Sequence, residues 1–320
     1  YESMIANTIG SYNTTLGYRA LSTNVDGDHN TAIGWKALYS LEPADNDGHN
    51  TAIGSRAMMD STTSTKNTAV GSYALENNTS GHSNTSIGYK CLQDTSTALY
   101  NTAVGNEVAM DNNGNYNVFM GSFAGRLASS TEGSIMIGYA AGYNNTSSSY
   151  NTYIGFGAAE DNNANYNVFL GSQAGKNATS VNKAVYIGRQ AVGGGVATGD
   201  NCVVIGHEAG YDLTSGADQV LVGFQAGTNL TTGLYNVLLG SYAGANLTTT
   251  SNNIFIGYNS GKFATSAEQN IGIGSNVMGA GTLTGDENVF IGQDAGKNAV
   301  GANKNVGIGQ KAGTSISEGA

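Results

Sequence analysis

A short apolar signature returns along this chain on a fixed beat. An aliphatic residue or Met stands directly before a glycine at Leu16-Gly17, Ile33-Gly34, Ile53-Gly54, Val70-Gly71, Ile87-Gly88 and Val104-Gly105. The pair continues at Met120-Gly121, Ile137-Gly138, Ile154-Gly155, Leu170-Gly171, Ile187-Gly188 and Ile205-Gly206. It ends at Val222-Gly223, Leu239-Gly240, Ile256-Gly257, Ile273-Gly274, Ile291-Gly292 and Ile308-Gly309. These 18 pairs are mostly 17 residues apart, sometimes 16 or 18 and once 20. Self-similarity at a short fixed period marks a repeat architecture. With the glycine counted as zero, position −3 is always β-branched, as in Thr31, Thr51, Val118 and Val237. One short strand per repeat follows, and with it an all-β parallel solenoid of about 18 coils.

Side chains alternate across a strand, so −3 and −1 share a face. Their apolar, strand-favouring character predicts that this face is the core. Position +3 is Ala in most coils, as at Ala20, Ala37 and Ala124, and Cys91 in one. A small side chain there suits a second strand lying close across a thin core. The glycine marks the bend between the two strands, where positive φ or close backbone approach is needed. Position −4 is Asn at Asn13, Asn30, Asn50, Asn67, Asn84, Asn101, Asn117, Asn151, Asn167, Asn236, Asn253, Asn270, Asn288 and Asn305. Stacked coils make these a structural amide ladder; the rival reading is a row that binds a ligand. Two dialects are visible, Asn30-Thr-Ala-Ile-Gly-x-x-Ala-Leu38 and Asn288-Val-Phe-Ile-Gly-x-x-Ala-Gly296, with the change near 117. They read as two parts of a single solenoid domain over 1–320, with regular coils over about 13–313.

So thin a core per coil leaves the ordering entropy poorly offset. Extra burial through self-association is therefore expected. The aromatics at −2 (Phe119, Tyr153, Phe169, Tyr186, Phe255 and Phe290), with Trp35 at +1, read as an outward stripe for an interface or a glycan.

The run Asn30-Thr31-Ala32-Ile33-Gly34 with Ala37, repeated along the chain, resembles the head repeats of trimeric autotransporter adhesins. It is equally similar to repeat regions of bacteriophage tail fibres. The resemblance implies a left-handed parallel β-roll assembled as a homotrimer. The period here is longer than in the adhesin heads, so each coil should carry a longer outer turn.

Composition narrows the function classes. The 320 residues carry 13 Lys and Arg against 23 Asp and Glu, a net charge of −10. An acidic chain with no basic cluster in its sequence argues against nucleic acid and anionic membranes. No apolar run has the length of a membrane span. Glycine is abundant, at 47 residues with 1 proline, but without the collagen triplet. Cys91 and Cys202 lie too many coils apart to pair. No Ser-His-Asp set, paired carboxylates or phosphate loop is present, and Gly193-Gly194-Gly195 lacks the lysine such a loop needs. Asp26, Asp28, Asp45 and Asp47 are weak calcium candidates, because the complete loop pattern is missing. His29 and His49 sit beside two of these and read as solvated turn residues.

The sequence therefore predicts a non-enzymatic structural fibre or adhesin segment, extracellular or on a virion or cell surface. Its partners would be its own copies and a host glycan or protein, with no cofactor. An end-to-end filament subunit is the alternative. An ice-binding solenoid is a minor one, disfavoured because the Thr row reads as core.

Overall fold

The computed structural model describes residues 2–42, 47–301 and 303–316. The chain divides into two compact units, Tyr1–Gly157 and Ala158–Ala320. Among the described residues there are eighteen strands of three residues each and no helix. The first unit runs from β1 (Thr14–Leu16) to β9 (Thr152–Ile154), the second from β10 (Val168–Leu170) to β18 (Val306–Ile308). Within each unit every strand pairs in parallel with the next in sequence, residue for equivalent residue: Thr31 opposite Thr51, Val237 opposite Ile254. Each unit is a parallel β-solenoid with one coil per repeat, and the all-β expectation holds.

The phase of the strand is opposite to the expectation. Position −2 is buried and positions −3 and −1 face outward, as the strand Val237–Leu239 shows with Leu238 buried between two half-buried neighbours. Because the side-chain period is two, an error of one residue exchanges the whole inner and outer sets. The aliphatics of −1 lie on the outside of the sheet, with Met120 43 % exposed and Ile154 39 %. The aromatics of −2 are the core: Phe119, Tyr153, Phe169, Tyr186, Phe255 and Phe290 are all fully buried.

Among the described residues no second strand crosses the coil. The segment after the glycine is a run of turns, in which +2 and +4 are left-handed, as at Lys36 (φ 56°) and Leu38 (φ 50°). This backbone still bonds from coil to coil: the Leu21 amide donates to the Ala37 carbonyl at 2.9 Å and the Leu38 amide to the Ala57 carbonyl at 3.0 Å. The anchor glycine is needed twice over. Gly34 has φ 136°, and a Cβ on it would run into the carbonyl of Gly54 one coil on.

Inside the coil, −2 and +4 face each other and exchange bulk. Ala32, Ala52 and Ala69 at −2 meet Leu38, Met58 and Leu75 at +4, all fully buried. Where −2 is Phe119, Phe169, Phe255 or Phe290, +4 is Gly125, Gly175, Gly261 or Gly296. A Cβ at Gly296 would lie 2.7 Å from the Phe290 ring, and one at Gly125 would lie 2.6 Å from Phe119. Gly272 at −2 is matched in reverse by Met278. In these coils bulk on one side is met by a small residue on the other, as close packing demands; Ala103 with Ala109, Gly307 with Gly313 and Tyr186 with Val192 do not follow the exchange. Polar exceptions are bonded locally: the Ser86 hydroxyl donates to the Cys91 carbonyl at 2.7 Å.

Candidate functional surfaces

From Asn13 to Asn117 the Asn row at −4 forms a continuous inward ladder, broken next by Ser134. The Asn50 amide donates to Asn30 Oδ1 at 3.0 Å, Asn67 to Asn50 at 3.0 Å and Asn84 to Asn67 at 2.9 Å. Each side-chain amide also donates into the turn of the following coil, Asn67 Nδ2 to the Gly81 carbonyl at 2.9 Å and Asn84 Nδ2 to the Ala98 carbonyl at 2.7 Å. These three residues are 0 to 1 % exposed, so their amides reach no external ligand. They tie the strand to the turn within each coil and each coil to the next. In the second unit the Asn row has a gap at Ala184, Cys202 and Gln219, then resumes at Asn236, which donates from its backbone to Gln219 Oε1 at 3.2 Å.

Six of the seven aromatic interface candidates are removed from any surface by the inverted strand phase. Trp35 alone is accessible, at 44 %. Phe169 and Tyr186 stack at 4.4 Å inside the second unit. The Tyr186 hydroxyl is buried with no hydrogen-bond partner, and burial pushes its pKa well above the usual tyrosine value.

The described calcium candidates, Asp26, Asp28 and Asp47, are not gathered into a site. Asp28 Oδ1 accepts the Ser11 amide at 2.5 Å, and Asp47 takes the Lys66 ammonium at 3.0 Å. Asp45 and Pro43 lie outside the described residues. Among the described residues no three His, Cys, Asp or Glu converge on a metal-sized site. His29 is instead sandwiched between Tyr12 and His49, with both ring centroids at 4.7 Å. Cys91 and Cys202 are buried free thiols, and burial pushes each up to about 11.

Three surfaces escaped the sequence reading. The first is the outer sheet face itself. In the second unit −3 and −1 are Val, Ile or Leu in all nine strands, none of them buried. The second is a row of exposed tyrosines at −5, including Tyr100 and Tyr116, whose rings stack at 5.2 Å. The Tyr-Asn pairs 12–13, 100–101, 116–117, 150–151, 166–167 and 235–236 were its signal. Tyr100 and Tyr116 face one another along the solenoid, so this pair presents edges to solvent and few free faces for a sugar.

The third surface corrects the statement that the chain has no basic cluster. Position +2 is Arg19, Lys36, Arg56 and Lys90 in four of the first five coils, with Tyr73 in the other. Charges 17 to 34 residues apart in sequence become one column on the solenoid. No pocket opens among the described residues, so a ligand would meet open faces such as these. Among the described residues no helix is long and apolar enough to cross a membrane. No protein-family model matches the chain, and no curated protein is significantly similar to it.

Proposed function

We propose that the chain is a non-enzymatic structural segment that works as a self-associated fibre, extracellular or on a virion surface, with three copies turning their sheet faces toward one another. One observation carries this reading: the second unit exposes two adjoining columns of aliphatic side chains with no polar residue among them. Purely parallel sheets are ordinarily covered on both faces. Here one face packs on the coil interior and the other is bare. The face rises about 4.8 Å per strand, so nine strands offer a strip long enough to mark an interface. Equal rise in every copy lets identical strips meet in register, and a rotation that closes gives a finite assembly. The outer turns remain available to a host glycan or protein.

Sedimentation tests the assembly. The wild-type chain should run at three times its chain mass, and Val237→Lys with Ile254→Lys should run as a folded monomer, because both side chains point outward. A wild-type monomer would sink the reading. Electron microscopy of the same material separates discrete particles from the continuous fibres of an end-to-end filament.

A second reading gains one observation. The Thr column at −3, from Thr14 to Thr102, faces outward beside an aliphatic column, so the argument that set ice binding aside no longer stands. Thermal hysteresis by the wild-type chain, abolished in Thr51→Lys with Thr68→Lys, would favour it; its absence would remove it.

A further inference from the structure

The +2 column of the first unit is an anomaly in an acidic protein. It gathers four of the chain's 13 basic side chains onto one line. The backbone under them is ladder-bonded: the Lys36 amide donates to the Tyr18 carbonyl at 2.9 Å, Arg56 to Trp35 at 2.8 Å and Lys90 to Ser72 at 3.0 Å. Arg19, Lys36 and Arg56 therefore stand at successive coil steps of about 4.8 Å, and Lys90 follows two steps beyond Arg56, past Tyr73.

Aromatic rings hold the charged ends. Lys36 Nζ lies 4.9 Å from the Trp35 ring and 5.3 Å from Tyr39. Arg56 lies 5.8 Å from Trp35 and 5.5 Å from Tyr73. Arg19 is over Tyr18 at 5.2 Å and Lys90 over Tyr89 at 5.5 Å. Such contacts confine long side chains before any ligand arrives, which lowers the ordering cost of binding. Arg19 and Arg56 are already paired with Glu2 and Glu76. Lys36 and Lys90 have no carboxylate partner among the described residues. Beyond Lys90 the column turns to Glu107, held by Arg126 at 2.9 Å, so the basic stretch has a defined end.

We propose that this column, with Lys36 and Lys90 as its free charges, docks a linear acidic polysaccharide whose carboxylates or sulfates meet the cations one after another. The proposal deepens the attachment half of the function above and rests on that half, not on the assembly. Three features select the ligand class. The coil step is close to the advance of one residue in an extended sugar chain. Nucleic acid is the poorer match in spacing, with a charge every 3.4 Å or so along each strand of a duplex. Single-stranded binders also need open aromatic faces for stacking, whereas Trp35 carries cations from both Lys36 and Arg56.

The test uses the full chain and its single Trp as reporter. Alginate and heparin oligosaccharides, neutral dextran and poly(dT) are titrated while Trp35 fluorescence and heat are recorded. Carboxylated or sulfated glycan should bind, the two probes telling which anion is preferred, and added salt should weaken binding. Lys36→Ala with Lys90→Ala should weaken it at least tenfold, while Lys183→Ala with Lys262→Ala leaves it unchanged. Sedimentation and thermal melts of both double variants should match wild type, which separates loss of binding from loss of assembly or fold. No binding of either acidic glycan, equal binding of dextran or poly(dT), or a Lys36/Lys90 variant that binds as wild type would each overturn the proposal.

Discussion

In the coil around Gly34 the interior is filled from the turn, by Leu38 over Ala32; in the coil around Gly257 it is filled from the strand, by Phe255 over Gly261. The outer face changes along with the inner one. Before 117 the −3 column is Thr, and after it Val or Ile, with Thr152 the exception. The two regions share backbone, register and Asn spacing, yet one offers hydroxyls outside and small residues inside the strand, the other methyls outside and rings inside. The coil thus specifies a backbone and a volume and leaves the identity of its filler open, as tolerant cores do.

The largest effect should come from breaking that exchange. Phe255→Ala leaves a ring-sized cavity and should cost about 3–5 kcal/mol in denaturant unfolding. Adding Gly261→Leu should recover about 2 kcal/mol or more, since Leu occupies the same left-handed position at Leu38 and Leu75. Additive single effects would mean that the two regions do not share one packing rule.

Next in size is alkaline pH, where the regions should behave alike. Cys91 and Cys202 hold their protons up to about 11, above the ordinary thiol value of 9.0, because burial disfavours the thiolate. A raised folded-state pKa gives stability that is whole below the unfolded value and lost as pH rises toward the folded one. Each thiol should therefore remove roughly 2–3 kcal/mol between pH 9 and 11. Cys91→Ala should reduce the wild-type loss over that interval, and a variant with the same loss as wild type would contradict it.

Smaller again is the ladder. Asn67→Ala interrupts a continuous stretch and should cost about 1–3 kcal/mol. Cys202→Asn, inside the gap of the second unit, should change stability by less, because Ala184 below it offers no acceptor to restore the column. Equal and large effects would mean that the ladder bonds act singly. Smallest is Tyr186→Phe, which removes an unpartnered buried hydroxyl and should raise stability by about 1 kcal/mol. A lower melting temperature would show that the hydroxyl has a partner after all.

Much of this was legible beforehand. The period, strand count, anchor glycines and Asn column all follow from spacing, because a solenoid converts sequence distance directly into position. The strand phase did not follow. Thr-Ala-Ile alternates equally well either way up, and hydrophobicity favoured the wrong face because the bare outer columns are more aliphatic than the Ala that packs inside. The reciprocal change of −2 and +4, Ala32 with Leu38 against Phe255 with Gly261, was already in the sequence and would have set the phase, since only residues in contact need to trade volume. The basic column was hidden for a different reason: Arg19, Lys36, Arg56 and Lys90 look scattered until the chain is folded on its own period.

The spacing of 20 between Thr31 and Thr51 leaves their pairing intact, residue opposite residue. The three extra residues between the two strands thus leave the register unchanged. Length can be written between strands without being read by them. Descendants of this sequence could gain loops, or whole additional repeats, by simple duplication, and an engineer could splice a foreign peptide between these two strands at a known step along an otherwise unaltered ladder.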